Sequence, residues 1–264
     1  MKKIFLTGAS SGIGRAIAES LSAAGHETWG TARKAERVPV LPGMHRLALD
    51  LADRDSLGEI FRAALHEAGQ FDVVINNAGS GFFGPAEALS PNELRRFFEV
   101  LVFGQIELTQ LALEAMRSEG QGGLIINVSS LASRLPVPFM AAYNAAKAAL
   151  ATYTMSLQLE LPNDKIRLLD LQPADINTHF NEAAAKAAID NERVRKTWEA
   201  VDRNMKTAPS PAVVARAVVR LIEAPDPPPR ITVGGFFQAQ VAPLIFRFLP
   251  QRLRLWGLRQ YYGI

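Results

Sequence analysis

Seven short apolar runs, separated by segments with helical periodicity, set the first limit on how this chain folds. The runs fall at residues 4–6, 27–30, 45–49, 71–75, 124–128, 166–171 and 230–233. Helical patterns fill 14–24, 55–68, 91–119, 142–161 and 211–223. Strands that are apolar nearly throughout must be covered on both faces, and strands that alternate with helices pair in parallel. The expectation is an α/β fold: a doubly wound, seven-stranded parallel sheet in three layers. With 264 residues the chain has enough core for one large domain, 1–264. Such sheets bind ligands at the carboxyl ends of their strands.

Chemistry-bearing residues cluster at those ends. Directly after the first run comes Thr7-Gly8-Ala9-Ser10-Ser11-Gly12-Ile13-Gly14. Glycines without a Cβ let the chain turn tightly and approach a pyrophosphate. The helix that follows, patterned on Ile13, Ile17 and Leu21, offers free N–H groups and the positive end of its dipole. Further on, Tyr143 and Lys147 stand four apart and share one helix face. A tyrosine with a pKa near ~10 is a poor base at neutral pH. A nearby ammonium, helped by an oxidised nicotinamide, favours its phenolate. Ser130 closes a strand thirteen residues earlier, where a hydroxyl can bond a carbonyl and stabilise developing oxyanion charge. Strand alternation is expected to point its neighbour Ser129 the other way.

The ordered set also includes Asp50-Leu51, Asn76-Asn77-Ala78-Gly79, Asn127-Val128-Ser129-Ser130 and the stretch from Pro173 to Thr178. Together these resemble the short-chain dehydrogenase/reductase family over about the first four-fifths of the chain. The resemblance implies a Rossmann-like fold and an NAD(P)-dependent enzyme interconverting a carbonyl and an alcohol. In that family the tyrosine moves the hydroxyl proton, the lysine tunes it and holds the nicotinamide ribose, and the serine orients the substrate oxygen. Those roles carry over to Tyr143, Lys147 and Ser130. The cofactor contacts implied are Gly8, Ser10, Ser11, Gly12, Ile13 and Gly14 at the phosphates and Asp50 and Leu51 at the adenine. Asn77, Ala78 and Gly79 follow the fourth strand, and Ile176 and Thr178 hold the carboxamide. Two positions depart from the family. Pro173-Ala174 replaces Pro-Gly, and Leu101 stands where the family has an asparagine that holds a relay water. Leucine neither donates nor accepts a hydrogen bond. Gln105, one turn on, is the candidate to compensate. The rival reading from Leu101 is a cofactor-binding regulator or scaffold with impaired turnover.

Cofactor choice turns on the end of the second run, Trp29-Gly30-Thr31-Ala32-Arg33-Lys34. An acid there would bond the ribose 2′-hydroxyl and repel a 2′-phosphate. None is present, and Arg33 can pair with that phosphate, so NADP(H) is expected over NAD(H). The chain has no cysteine, and its four histidines lack paired ligand spacing, so no metal is expected. The first run is strand-length and leads into the glycine loop, and no stretch is long enough to span a bilayer. A cytoplasmic protein is expected. After Asp226 there is no acid, while Arg230, Arg247, Arg252, Arg254 and Arg259 follow; removing those five from the net charge of +3 leaves about −2 for the body. Nucleic acid is therefore not an expected partner.

Substrate is expected to enter at residues 179–206, where the family keeps its lid. Phe82, Phe83, Phe139, Met140, Phe180 and Trp198 are candidate pocket walls. They suit a small to medium apolar ketone, aldehyde or alcohol, steroid- or retinoid-like. The extension 236–264 mixes apolar residues with arginines, a composition that suits covering the pocket, a subunit interface or peripheral contact with an anionic membrane. The resemblance favours the first two and implies a homodimer or homotetramer.

Overall fold

The computed structural model of the chain describes residues 1–120, 122–161, 165–178, 180, 184–187 and 191–264. All seven apolar runs are strands of one sheet. They are β1 (Lys3–Leu6), β2 (Glu27–Ala32), β3 (Met44–Ala48), β4 (Val73–Asn76), β6 (Gly123–Val128), β7 (Ile166–Pro173) and β9 (Arg230–Val233). The order is β3-β2-β1-β4-β6-β7-β9, and every pairing is parallel.

Alternation along the strands fills both faces. On one side Ile4, Leu6, Ile75, Ile126 and Leu171 pack against Ile17 and Leu21 of α1 (Gly12–Ala23) and Val214 and Val218 of the helix Ala212–Glu223. On the other, Phe5, Trp29, Val74 and Ile125 meet Phe61 of α2 (Arg54–Ala68). Leu108 of α4 (Gly104–Glu119) and Leu157 of α5 (Ala141–Glu160) complete that side. Each such side chain fully removed from water contributes about 1.5–3 kcal/mol.

Three features were not in the sequence pattern. The single helix expected over 91–119 is α3 (Pro91–Phe98), a π-helical turn Glu99–Phe103, and α4. The start of α3 is fixed by a Ser90/Glu93 capping box and Pro91. Hydrophobic periodicity is blind to the extra residue of a π turn, a distortion often found at functional sites. A short parallel pair joins β5 (Phe82–Phe83) to β8 (Ala185–Lys186). The tail is helical at Ala242–Phe248 and Gln251–Tyr262. Among the described residues, no helix is long and apolar enough to cross a membrane.

At the carboxyl edge a buried polar ladder locks β4 to β6. Asn76 Nδ2 donates to Asn127 Oδ1 at 2.7 Å and to Thr109 Oγ1 at 2.9 Å, and Asn127 Nδ2 donates to Thr154 Oγ1 at 2.9 Å. These bonds hold α4 and α5 in place over the strand ends that carry the site.

Candidate active site

A cavity of about 1140 Å³ opens along the carboxyl ends of β1, β2, β4, β6 and β7. Every residue expected at the cofactor and catalytic positions lines it; of the candidate pocket walls, Phe83, Phe139 and Trp198 do not.

The glycine loop forms one end. Gly8 and Gly12 take φ of 72° and 53°, a region that favours glycine. A Cβ on Gly14 would stand 2.0 Å from the Gly8 carbonyl oxygen, so that position admits no side chain. Thr7 fastens the loop to the one after β4: its Oγ1 accepts from Asn77 N at 2.9 Å and Ala78 N at 3.0 Å. Ser11 precedes α1, but its side chain caps none of the helix's first N–H groups. Free amides and a glycine cradle together fit a pyrophosphate. Beyond the loop, exposed Arg33 lines the cavity, joined by Arg37, which the sequence reading missed. Asp50 lies on the same wall; its carboxylate accepts from Ala52 N at 3.0 Å and faces Arg96 Nη2 at 3.5 Å.

The reactive cluster sits where β6 ends. Ser130, in extended backbone, accepts from Ala132 N through its Oγ at 3.1 Å, and its hydroxyl lies close enough to Tyr143 to influence its titration. The Ser129 hydroxyl instead donates to buried Asp170, away from Tyr143. The half-buried Tyr143 has its pKa raised by burial; the nearby Ser130 hydroxyl opposes the shift and the Asp175 charge adds to it. In the protein alone burial prevails over the ammonium, which stands 6.0 Å from the ring centroid. Lys147 is buried and donates through Nζ to the Val128 carbonyl at 2.8 Å. Burial lowers its pKa to about 8, with Asp170 opposing.

Leu101, brought inward by the π turn, is fully buried. A methyl added to Gly79 would lie 3.3 Å from Leu101 Cδ2 and 3.9 Å from Lys147 Nζ, so the leucine closes hydrocarbon over the lysine's surroundings. Gln105 does not reach the lysine. Its Nε2 donates to Ala78 O at 2.8 Å and Val100 O at 3.4 Å, bracing the loop after β4.

Past Tyr143 the walls become apolar. Phe82, Met140 and Phe180 line the cavity as expected. Phe139 does not: it sits in a left-handed turn (φ 61°) and packs on Phe83, 6.2 Å between centroids. Phe83 in turn packs on Trp198 at 4.9 Å, so these two also lie behind the wall rather than in it. Of the segment 179–206, positions 179, 181–183 and 188–190 lie outside the described residues. Its helix Glu192–Thr207 brings Val201, Asn204 and Met205 to the cavity.

The tail builds the remaining wall through Phe237, Ile245, Phe246, Leu249, Leu253 and Leu258. A polar chain anchors it. Gln238 Nε2 donates to Asp175 Oδ2 at 2.6 Å and to Tyr261 Oη at 2.9 Å, and Asn204 Nδ2 donates to the same Tyr261 oxygen at 3.0 Å. Asp175, whose pKa is raised by burial, and this chain were not singled out in the sequence. Their only signal there is a carboxylate inside a cofactor motif, which spacing does not distinguish from a turn residue.

Known proteins resemble this chain along most of its length. The family described as short chain dehydrogenase matches residues 2–188. A 3-ketodihydrosphingosine reductase of Bacteroides thetaiotaomicron is 29% identical over 267 residues, covering 99% of this chain and 98% of that protein. An alcohol dehydrogenase from the archaeon Thermococcus sibiricus, solved with 5-hydroxy-NADP, superposes with a TM-score of 0.71 at 25% identity, over 90% of this chain and 97% of that one. A 3-ketoacyl-(acyl-carrier-protein) reductase from Brucella melitensis, solved with NADH, gives 0.76 at 27% identity, over 89% and 97%.

Proposed function

The chain belongs to the short-chain dehydrogenase/reductase family and is an oxidoreductase of CH–OH groups, and on that premise we propose that it reduces the carbonyl of an apolar, lipid-like ketone with NADPH. The observation that carries this reading is one continuous cavity with a phosphate cradle at one end, Ser130, Tyr143 and Lys147 at its waist, and an apolar wall built by the tail.

The residues present fit a nicotinamide dinucleotide. The α1 N-terminus and Gly8, Gly12 and Gly14 take its pyrophosphate, Arg33 and Arg37 a 2′-phosphate, Asp50 and Leu51 the adenine, and Ile176 and Thr178 the carboxamide. Asn77, Ala78 and Gly79 flank it, and Lys147 holds the ribose. When bound, that cofactor supplies or accepts the hydride. The rest belongs to the protein. Ser130 donates a hydrogen bond that orients the carbonyl oxygen and stabilises negative charge growing there. Tyr143, its proton held by burial, delivers it to that oxygen as a general acid. Lys147, fixed on the Val128 carbonyl, lies where its charge stabilises the phenolate left behind. Phe82, Met140, Phe180 and the tail exclude water and receive the apolar body of the substrate. The name of the Bacteroides relative supports a ketone on a lipid chain, and the absence of an acid at the end of β2 supports NADPH. A homo-oligomer is part of the same reading, from the family's habit.

Titration with NADPH and NADH, followed by a panel of aliphatic ketones, tests the proposal. Tighter NADPH binding is expected, with turnover that Tyr143→Phe lowers by about 10²–10⁴-fold. Absence of cofactor binding, or full turnover in the phenylalanine variant, overturns it.

A further inference from the structure

Beside the active-site cavity lies a second cleft of about 480 Å³, lined by Arg134, Arg230, Arg247 and Arg254 with Leu135, Pro243 and Phe246. The two spaces share walls: Leu135, Phe246 and Arg254 line both. Arg134 follows Ser130 by four residues, so their Cα atoms are at most about 14 Å apart. The cleft is therefore within a short chain's reach of the reacting carbon.

Its charge is unbalanced. Four guanidinium groups arrive from the turn after β6, from β9 and from the tail, and one of them, Arg230, has a carboxylate partner, Asp170, at 2.9 Å. That carboxylate is buried and already accepts from Gln172 Nε2 at 2.8 Å and from Ser129. Arg134, Arg247 and Arg254 have no carboxylate partner among the described residues. Arg254 is held in place by donating to Leu249 O at 2.6 Å and Arg247 O at 2.9 Å. Burial and the neighbouring charge of Arg230 pull the Arg134 pKa below the usual arginine value; Asp170 opposes and Arg247 adds to the fall. Like charges gathered in a half-enclosed cleft repel one another, and a bound anion relieves that repulsion. Guanidinium forks match phosphate and carboxylate oxygens in pairs.

We propose that this cleft binds the anionic head, a phosphate or carboxylate, of an amphiphilic carbonyl substrate whose apolar part passes Leu135 and Phe246 into the active-site cavity. The proposal rests on the reading of that cavity as the site of an apolar ketone, and it narrows the substrate class to anionic amphiphiles.

The test is a calorimetric titration of the full chain, with NADPH present, using decyl phosphate below its micellar concentration, decanol and inorganic phosphate. Decyl phosphate is expected to bind at least tenfold more tightly than either of the others. The double variant Arg134→Gln, Arg247→Gln is expected to remove at least tenfold of that advantage. If the double variant fails to fold, Arg247→Gln alone, at an exposed tail position, is expected to remove at least threefold. Decyl phosphate binding no tighter than decanol, or unchanged in the variants, overturns the proposal. Inorganic phosphate binding as tightly as decyl phosphate overturns it in favour of a free-anion site. Variant-sensitive binding to phosphatidylglycerol vesicles without binding of monomeric decyl phosphate overturns it in favour of a membrane-surface site. Turnover is not read in this titration. Inactivity on every ketone would sink the proposed function and leave the anion result standing.

Discussion

The Lys147 ammonium donates to the Val128 carbonyl at 2.8 Å from within a wall to which Leu101 adds only hydrocarbon. The lysine is held by backbone and desolvated at once, and its pKa falls to about 8. A lowered pKa means that the unfolded chain binds more protons than the folded one between about pH 8 and the ordinary value of 10.5. Below about pH 8 both states carry the charge, and the burial penalty is constant. Stability of the wild type relative to Lys147→Met should therefore rise with pH across that window. Urea midpoints at pH 7, 8.5 and 10 measure it, and a difference that stays flat would count against a desolvated ammonium.

Leu101 packs with Phe97, Val102 and Ala146. Replacing it by asparagine removes buried hydrocarbon and leaves an amide in apolar surroundings. Leu101→Asn is expected to cost about 2–4 kcal/mol of stability, by chemical denaturation, and to turn over no faster than the wild type. A faster variant would mean that the leucine blocks a proton relay.

Arg33 is exposed on the cavity wall where β2 ends, and charge-assisted bonds contribute about 1.5–3 kcal/mol each. Arg33→Asp is expected to weaken NADPH binding about 10–100-fold, since about 1.4 kcal/mol is tenfold, while NADH binding is unchanged or improved. Fluorescence titration with both dinucleotides decides it; equal losses for the two would assign Arg33 no part in their discrimination.

Tyr261 accepts from Gln238 and Asn204 and so ties the tail to the helix Glu192–Thr207. Tyr261→Phe breaks both bonds, at about 1 kcal/mol each. The tail wall loosens around the apolar end of the cavity, so KM for long-chain ketones should rise several-fold with NADPH affinity unchanged. An unaltered KM would show that the tail's hydrocarbon contacts alone hold it closed.

The sheet was legible because its signal is local. Continuous apolar strands such as 71–75 and 124–128 admit few environments other than a sheet covered on both faces, and the glycine loop and Tyr143/Lys147 pair have spacings set by one turn or one helix. The break in 91–119 was not legible, because a π turn leaves the hydrophobic pattern intact. Nor was Phe139, whose left-handed backbone turns it onto Phe83 and leaves the wall to Met140.

The sequence by itself determined the strand–helix alternation, the tight glycine turn after β1 and the presence of a serine, a tyrosine and a lysine at strand and helix ends, since each depends on neighbours a few residues away. Only the tertiary structure decided the rest. It raised the Tyr143 pKa by burial, gathered Arg134, Arg230, Arg247 and Arg254 around one cleft, and laid the tail across the cavity through Gln238 and Tyr261. Desolvation and charge clustering depend on residues far apart in the chain, and local patterning does not record which of them will meet.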